Sequence, residues 1–331
     1  MNVTPELARL KFRAFERAGD FPKMALLLQA ISKVEETGDW ATAEDIERNY
    51  SHLVNSTPET DMRMVEDEHG ELVAYVRVGW EVDDEQRQVF GFPFNIHPEH
   101  QTPPLLEELL NWVEARARTV AAETKTGHVQ VLRAFLRNID KDIMLNKALT
   151  AGEFKPVRFM NRMIRDLNEP IEVPALPEGL EVRPVEAAQA RTVLIALDEA
   201  FQDHWGHAPM QEEMIQALMA NPMFKPELWQ VAWDGDKVAA GVLNMVDEAA
   251  NEQFQIKRGM TDPIFTRRPW RKRGLARALL MRSLQMFKDM GMTEAMLGVD
   301  TQNPSGAFAL YESCGFKSTQ RSVVYEKTLG A

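Results

Sequence analysis

Cysteine is almost absent: Cys314 is the single one in 331 residues. One thiol excludes an internal disulfide and any site that gathers several thiolates on one metal. Long apolar runs are missing too, and nothing approaches the roughly twenty consecutive apolar residues of a membrane-spanning helix. The N-terminal stretch MNVTPELARLKFRAFERAGD is amphipathic and has no apolar signal core, so a cytoplasmic protein with no membrane partner is expected. Positive charge is in deficit, with 38 Lys and Arg against 50 Asp and Glu, a net charge of −12. That balance argues against a general nucleic-acid binder. Tyrosine is scarce at four in the chain, so one inside a motif stands out.

What is present is an ordinary globular composition, 44% hydrophobic and 27% charged, in a chain long enough for two cores. Against the acidic background, Arg267, Arg268, Arg271, Lys272, Arg273, Arg277 and Arg282 cluster together. A local basic patch on an acidic protein suits a small polyanion better than a polymer. Within it, Arg271-Lys-Arg-Gly-Leu-Ala276 follows an apolar run ending at Thr266 and opens a helix-patterned segment, Leu275 to Met290. First-turn N–H groups have no helical partner, and the helix dipole adds partial positive charge there. Gly274 lets backbone approach a ligand and Ala276 keeps the next position small, which together make a phosphate cradle. An ordinary strand-to-helix turn with solvated basic side chains has the same local pattern, so the loop alone does not decide.

The chain reads as a tandem repeat: residues 1–167, a linker at 168–179 with three prolines, and residues 180–331. Helical segments open each half, at Pro5–Ala18 and Phe21–Glu36 and again at Ala187–Asp203 and Gln211–Ala220, with Thr4 as a cap before Pro5. A hairpin follows in each, Met62–Val78 and Leu228–Leu243, around an acidic, Gly-containing turn. Then come a strand, a turn and a long helix. Gln101 aligns with Arg271 (271 − 101 = 170) and Gly152 with Gly315 (315 − 152 = 163), so the period is one domain. Pro104 then stands opposite Gly274 and Leu106 opposite Ala276. Prolines suit a helix's first turn but remove N–H donors, so the first copy keeps the fold and loses the phosphate site.

The second half resembles the GNAT acetyltransferase superfamily. Arg271-x-x-Gly274-x-Ala276 is similar to its acyl-CoA loop, (Gln/Arg)-x-x-Gly-x-(Gly/Ala). Asn303-Pro-Ser-Gly-Ala-Phe-Ala-Leu-Tyr-Glu-Ser-Cys-Gly-Phe-Lys317 is similar to its second signature, 32 residues on from Gly274 to Gly306. The resemblance covers about 180–328 and reaches the first half only as a degenerate copy; one worn copy in tandem is similar to the mycothiol synthase-like members of the family. It implies an α/β (α+β) fold of two tandem GNAT units, each a mixed, mostly antiparallel sheet flanked by helices and splayed where CoA binds. Pro263 either sits at a bulge that parts the strands there or marks the strand's start at Ile264.

The resemblance further implies an acyl-CoA-dependent N-acetyltransferase, with acetyl-CoA as co-substrate, no metal, and a small-molecule primary amine as acceptor. Cofactor contacts are expected from the backbone of Ile264, Phe265 and Thr266, from Arg271, Lys272, Arg273, Gly274, Leu275, Ala276 and Arg277 at the pyrophosphate, and from Asn303. Tyr311 matches the family's general acid for the CoA thiolate, and Ala148 stands at that place in the first copy. Some relatives carry a glutamate base where this chain has Gly298. Asp262, with the strand parity of Ile264 and Thr266, is the base candidate, ahead of Asp300, Glu252 or a water chain. Asp203-His-Trp-Gly-His207 is a poor zinc signature because it has no third ligand; Trp205 and His207 are instead acceptor-pocket candidates. A non-catalytic acyl-CoA-binding regulatory protein would keep the loop and need no base. The chain is expected to be a monomer or homodimer.

Overall fold

The computed structural model describes residues 5–303 and 305–330, and the chain divides into two compact units, Met1–Phe159 with Arg321–Ala331, and Met160–Gln320. Thr4 and Pro304 lie outside the described residues.

The first unit runs β1 (Lys11–Arg13), α1 (Asp20–Glu35), α2 (Ala43–Tyr50), α3 (Pro58–Asp61), β2 (Met62–Glu66), β3 (Leu72–Arg77), β4 (Gly79–Val82), β5 (Arg87–Gly91), β6 (Phe94–Ile96), α4 (Pro103–Thr124), β7 (Val129–Leu136) and α5 (Ile143–Ala151). The helix expected over Pro5–Ala18 does not form. Residues 7–9 and 17–19 are single 3₁₀ turns, and Lys11–Arg13 pairs antiparallel with β2. The reason is long-range: Arg13 reaches the buried carboxylates of Asp20 and Glu66, and tertiary pairing overrides a weak helical preference. Helix α4 starts on Pro103 and Pro104 as its first residues. It buries Leu105, Leu106, Leu109 and Val113 at helical spacing against the sheet.

A further strand, β8 (Lys155–Asp166), starts in the first unit and is counted with the second from Met160. The second unit continues with β9 (Glu181–Val182), α6 (Ala187–Phe201), α7 (Glu212–Ala220), β10 (Gln230–Asp234), β11 (Lys237–Val242), α8 (Glu248–Phe254), β12 (Arg258–Met260), β13 (Ile264–Thr266), α9 (Leu275–Asp289), β14 (Glu294–Asp300) and α10 (Ala307–Ser313). The last strand, β15 (Lys317–Thr328), ends in the first unit. The units therefore do not follow the expected bounds of 1–167 and 180–331. Met160–Asp166 pairs with β14 inside the second unit, and Val323–Thr328 pairs with β7 inside the first.

The second unit opens at one point in its sheet. Strand β12 runs parallel to β14, and that pairing ends where Thr261 N donates to Met296 O at 2.9 Å. Two residues later the chain has changed partner: Leu243 N donates to Pro263 O at 3.0 Å, and β13 pairs antiparallel with β11. One chain thus leaves β14 and joins β11 across Asp262 and Pro263. Among the described residues no strand pairs with the free edge of β13 or with the C-terminal end of β14 on its β12 side. The first unit repeats this arrangement. Its β5 runs parallel to β7, its β6 pairs with β3, and Pro93 stands in the gap, 170 residues before Pro263 (263 − 93).

Candidate active site

A cleft of about 690 Å³ opens beside β13. The backbone strand Ile264-Phe265-Thr266 forms one wall, and Arg271, Lys272, Gly274, Leu275, Ala276 and Arg277 form the end where α9 begins. Asn303, Ser305, Ala307, Leu310 and Tyr311 close the other wall, and Ala200, Phe201, Asp203 and His204 line it from the end of α6. Every cofactor candidate read from the sequence lines this cleft except Arg273, whose guanidinium donates to Glu178 O at 3.3 Å.

Gly274 caps α9 in the left-handed region, at φ 77° and ψ 6°, and among the described residues no side chain caps the helix's first N–H groups. Any L-residue there costs roughly 1–2 kcal/mol. A Cβ at Gly274 would meet nothing within 4 Å, so its missing side chain leaves open space. Uncapped N–H groups, the helix dipole and that open approach fit an anionic phosphate group.

Except for Arg282, the arginines of the basic run are occupied by protein. Arg271 donates to Asp203 Oδ2 at 2.7 Å, to Ala200 O at 3.1 Å and to Thr266 O at 3.0 Å. Arg268 also binds Asp203, and the two guanidiniums hold that carboxylate far below its usual range, Arg268 first. Arg267 reaches Glu199 and the carbonyl of Val238, and Arg277 reaches Ser313. The Arg271 side chain is therefore a staple joining the end of α6 to β13, and anion contact there falls to backbone N–H groups. Lys272 is exposed, with its backbone at φ 61°, and hydrogen-bonds to no protein group among the described residues.

Tyr311 lies in the short helix α10, about two turns long, and is 7% exposed with its ring near that of Phe316. Its hydroxyl bonds to no protein group among the described residues. Burial, with the charge of Asp262 next, pushes the phenol well above its ordinary value, so the hydroxyl stays protonated at neutral pH. Asp262 occupies the residue at which the chain changes strands. Its Oδ2 accepts from Gly298 N at 3.3 Å, and desolvation pushes its carboxyl up to about 6. A Cβ at Gly298 would stand 3.3 Å from the same oxygen. The missing side chain at 298 is what makes room for the carboxylate from the neighbouring strand. Asp300 lies at the end of β14 and Glu252 on α8, and none of the three base candidates, Asp262 included, is part of the cleft lining.

The acceptor candidates divide differently. His207 faces Asp198, 3.5 Å from its carboxylate, and neither His207 nor Trp205 lines the cleft. His204 does, half-buried, with its ring stacked on Phe201 at 4.1 Å and 15°. The spacing was available in the sequence: Phe201 and His204 are three residues apart at a helix end, which puts them on one side. No group of three or more metal-ligating side chains occurs among the described residues.

The corresponding gap in the first unit is closed. Arg137, just past β7, donates to Glu35 at 3.2 Å, to Asn95 Oδ1 at 3.2 Å and to Phe94 O at 3.1 Å. It thus caps the edge of β6 with a side chain. What remains beside Gln101, Phe94, Ile96 and Asp142 is a cavity of about 10 Å³, at most a single water. Burial, partly offset by Arg137, pushes Glu35 up to about 7. No pattern in the sequence pointed to Arg137.

Residues 191–316 match the acetyltransferase (GNAT) family. Mycothiol acetyltransferase of Thermobispora bispora is 29% identical over 171 residues, 51% of this chain and 57% of that protein. The mycothiol acetyltransferase of Thermomonospora curvata is 28% identical over 189 residues, 56% and 61% of the two chains. The matched stretches span less than two thirds of those relatives. Among solved structures, a GCN5-related N-acetyltransferase from Sphaerobacter thermophilus superposes with a TM-score of 0.72 at 24% identity, over 98% of this chain and 96% of that one. A tandem GNAT protein from the clavulanic acid biosynthesis pathway gives 0.64 at 14% identity, over 97% and 99%. Those two likenesses cover both units and carry the fold. The acetyltransferase (GNAT) family match thus falls in the second unit, at residues 191–316, and the two superpositions give the fold of the whole chain.

Proposed function

We propose that the second unit is an acetyl-CoA-dependent N-acetyltransferase that acts on a primary amine of a small molecule. One observation carries this reading: the cleft brings an unpaired strand edge, an uncapped helix N-terminus behind Gly274 and the Tyr311 hydroxyl into one space. A strand edge pairs with an extended amide-bearing chain, and the helix N-terminus takes its phosphates. The thioester so held supplies the acyl group. Backbone groups of Ile264 to Thr266 orient it, and the N–H groups at the start of α9 hold the pyrophosphate, with Lys272 adding charge. In this reading Tyr311, kept protonated by burial, protonates the departing sulfur. In the same reading Asp262, ionised above about pH 6, takes a proton from the attacking nitrogen. The names of the mycothiol acetyltransferase relatives support a small-molecule acceptor for this chain too.

Calorimetric titration with acetyl-CoA, followed by thiol release with an amino sugar, a polyamine and an amino-acid amide, tests the reading. One site per chain, lost in Gly274→Trp, with thiol released by at least one amine, is the expected result. Binding without thiol release from any amine would favour the regulatory binder. No binding would remove the cofactor reading altogether.

A further inference from the structure

The reaction as proposed leaves one proton unplaced. An acceptor arrives as an ammonium and loses two protons from nitrogen, while the departing sulfur needs only one. Asp262 and Tyr311 account for a single pair: the carboxylate receives a proton, the phenol delivers one, and the carboxylate restores the phenol. The charge of Asp262 is felt at the Tyr311 hydroxyl, which fits that exchange. The other proton has to leave before attack, because an ammonium has no lone pair.

We propose that His204 takes the ammonium proton and passes it to solvent. This rests on the transfer reading above. His204, at the end of α6, lines the same cleft as Tyr311, and it is half-buried, so its ring keeps contact with solvent. Its imidazole is fixed from two directions. The ring lies flat on Phe201, at 4.1 Å and 15°. Its chain neighbour Asp203 is clamped by Arg268 and Arg271, and Arg271 also binds the ends of α6 and β13. Neither ring nitrogen hydrogen-bonds to protein among the described residues, so no protein partner has to be displaced.

The charges that face His204 come from three directions. Asp300 of β14 and Asp203 favour the imidazolium, while Arg271 and His207 oppose it. Burial outweighs them and lowers the group below its ordinary value, so the imidazole is neutral and able to accept at pH 7. In full, the ammonium N–H bond breaks toward His204, and the freed nitrogen lone pair bonds to the thioester carbon. The carbon–sulfur bond then breaks with its electron pair on sulfur, which takes the Tyr311 proton. Asp262 receives the second nitrogen proton and returns one to Tyr311. The net products are amide, thiol and one proton released from His204.

The test compares wild type with His204→Gln on two probe nucleophiles at pH 7, ethanolamine, an ammonium, and hydroxylamine, already neutral. The expected variant loses about 100-fold in kcat/KM with ethanolamine, within the usual range for a proton-transfer group, and far less with hydroxylamine. Its acetyl-CoA affinity by calorimetry stays at the wild-type value. Equal losses on both nucleophiles, or lost acetyl-CoA binding, would overturn the proposal by making His204 structural. Wild type that binds acetyl-CoA yet releases no thiol with either nucleophile would overturn the transfer reading, and the His204 role with it.

Discussion

Asp262 Oδ2 accepts the backbone N–H of Gly298 at 3.3 Å, in the space that a side chain at 298 would claim. A carboxylate thereby stands against position 298 from the point where the chain passes from β12 to β13. Its placement at the point where β12 gives way to β13 also desolvates it. The resulting pKa, about 6, lies well above its ordinary value.

That shift has a cost in stability whose sign is fixed. Below about pH 4 the carboxyl is protonated in folded and unfolded chains alike, and it contributes nothing. Between about 4 and 6 the folded chain binds more protons than the unfolded one, so stability falls as pH rises. Above 6 the loss is complete, on the order of 1–3 kcal/mol after allowance for partial exposure. Asp262→Asn is therefore expected to melt higher than wild type at pH 8 and no differently at pH 4. Under the proposed role, the same variant loses the ascending limb of kcat near pH 6. Thermal melts at the two pH values, with a pH–rate profile, check both halves; equal melting at pH 8 would contradict the desolvation.

Tyr311→Phe separates chemistry from packing. The ring contributes the burial and the hydroxyl makes no hydrogen bond to protein among the described residues, so the substitution should shift stability by less than about 0.5 kcal/mol. Acetyl-CoA binding is likewise expected to hold. Under the proposed acid role, turnover drops by about 10²–10³, since the departing sulfur must take its proton from water. Differential melting, calorimetry and steady-state thiol release resolve the three expectations; a turnover within twofold of wild type would exclude the acid role.

Much of this arrangement was legible because it is local. Helices α6 and α9 announce themselves by apolar spacing, the hairpins by their turns, and the start of α9 by Gly274. What stayed hidden depends on residues far apart in the chain. Strand β1 exists because Arg13 meets Glu66, fifty-three positions away. Arg271 looks like an anion ligand in a basic run, yet Asp203 and two carbonyls take its guanidinium. The aromatic residues between α6 and α7 drew attention to Trp205 and His207, whereas the turn at the helix end puts His204 in the cleft. The closing of the first unit's gap by Arg137 has no local signature at all.

Arg137 bears on how many cofactor sites the chain has. The sequence attributes the worn copy to Pro103, Pro104 and Leu106, and Leu106 is fully buried in the first unit's core. Replacing Pro103 with Ser and Pro104 with Gly would return two N–H donors to the start of α4. The titration is still expected to find one acetyl-CoA site, because the Arg137 guanidinium occupies the β6 carbonyl and only about 10 Å³ remains in the gap. A second binding event in that double variant would show that the prolines alone had closed the first copy.

The bounds of the second unit make a last prediction about fragments. A fragment of residues 180–331, the half a motif search would select, omits Met160–Asp166. That segment pairs with the whole of β14, residue for residue from Glu294 to Asp300. Without it, β14 presents an unpaired edge beside the Leu297 and Val299 side chains of the core, and open strand edges of that kind aggregate. Residues 160–320 keep the pairing and drop only the segment that belongs with β7 in the first unit. The fragment that begins at Met160 is expected to melt cooperatively, and 180–331 to be insoluble or to melt without a transition. Cooperative melting of 180–331 by circular dichroism would show that β14 does not depend on its β8 partner.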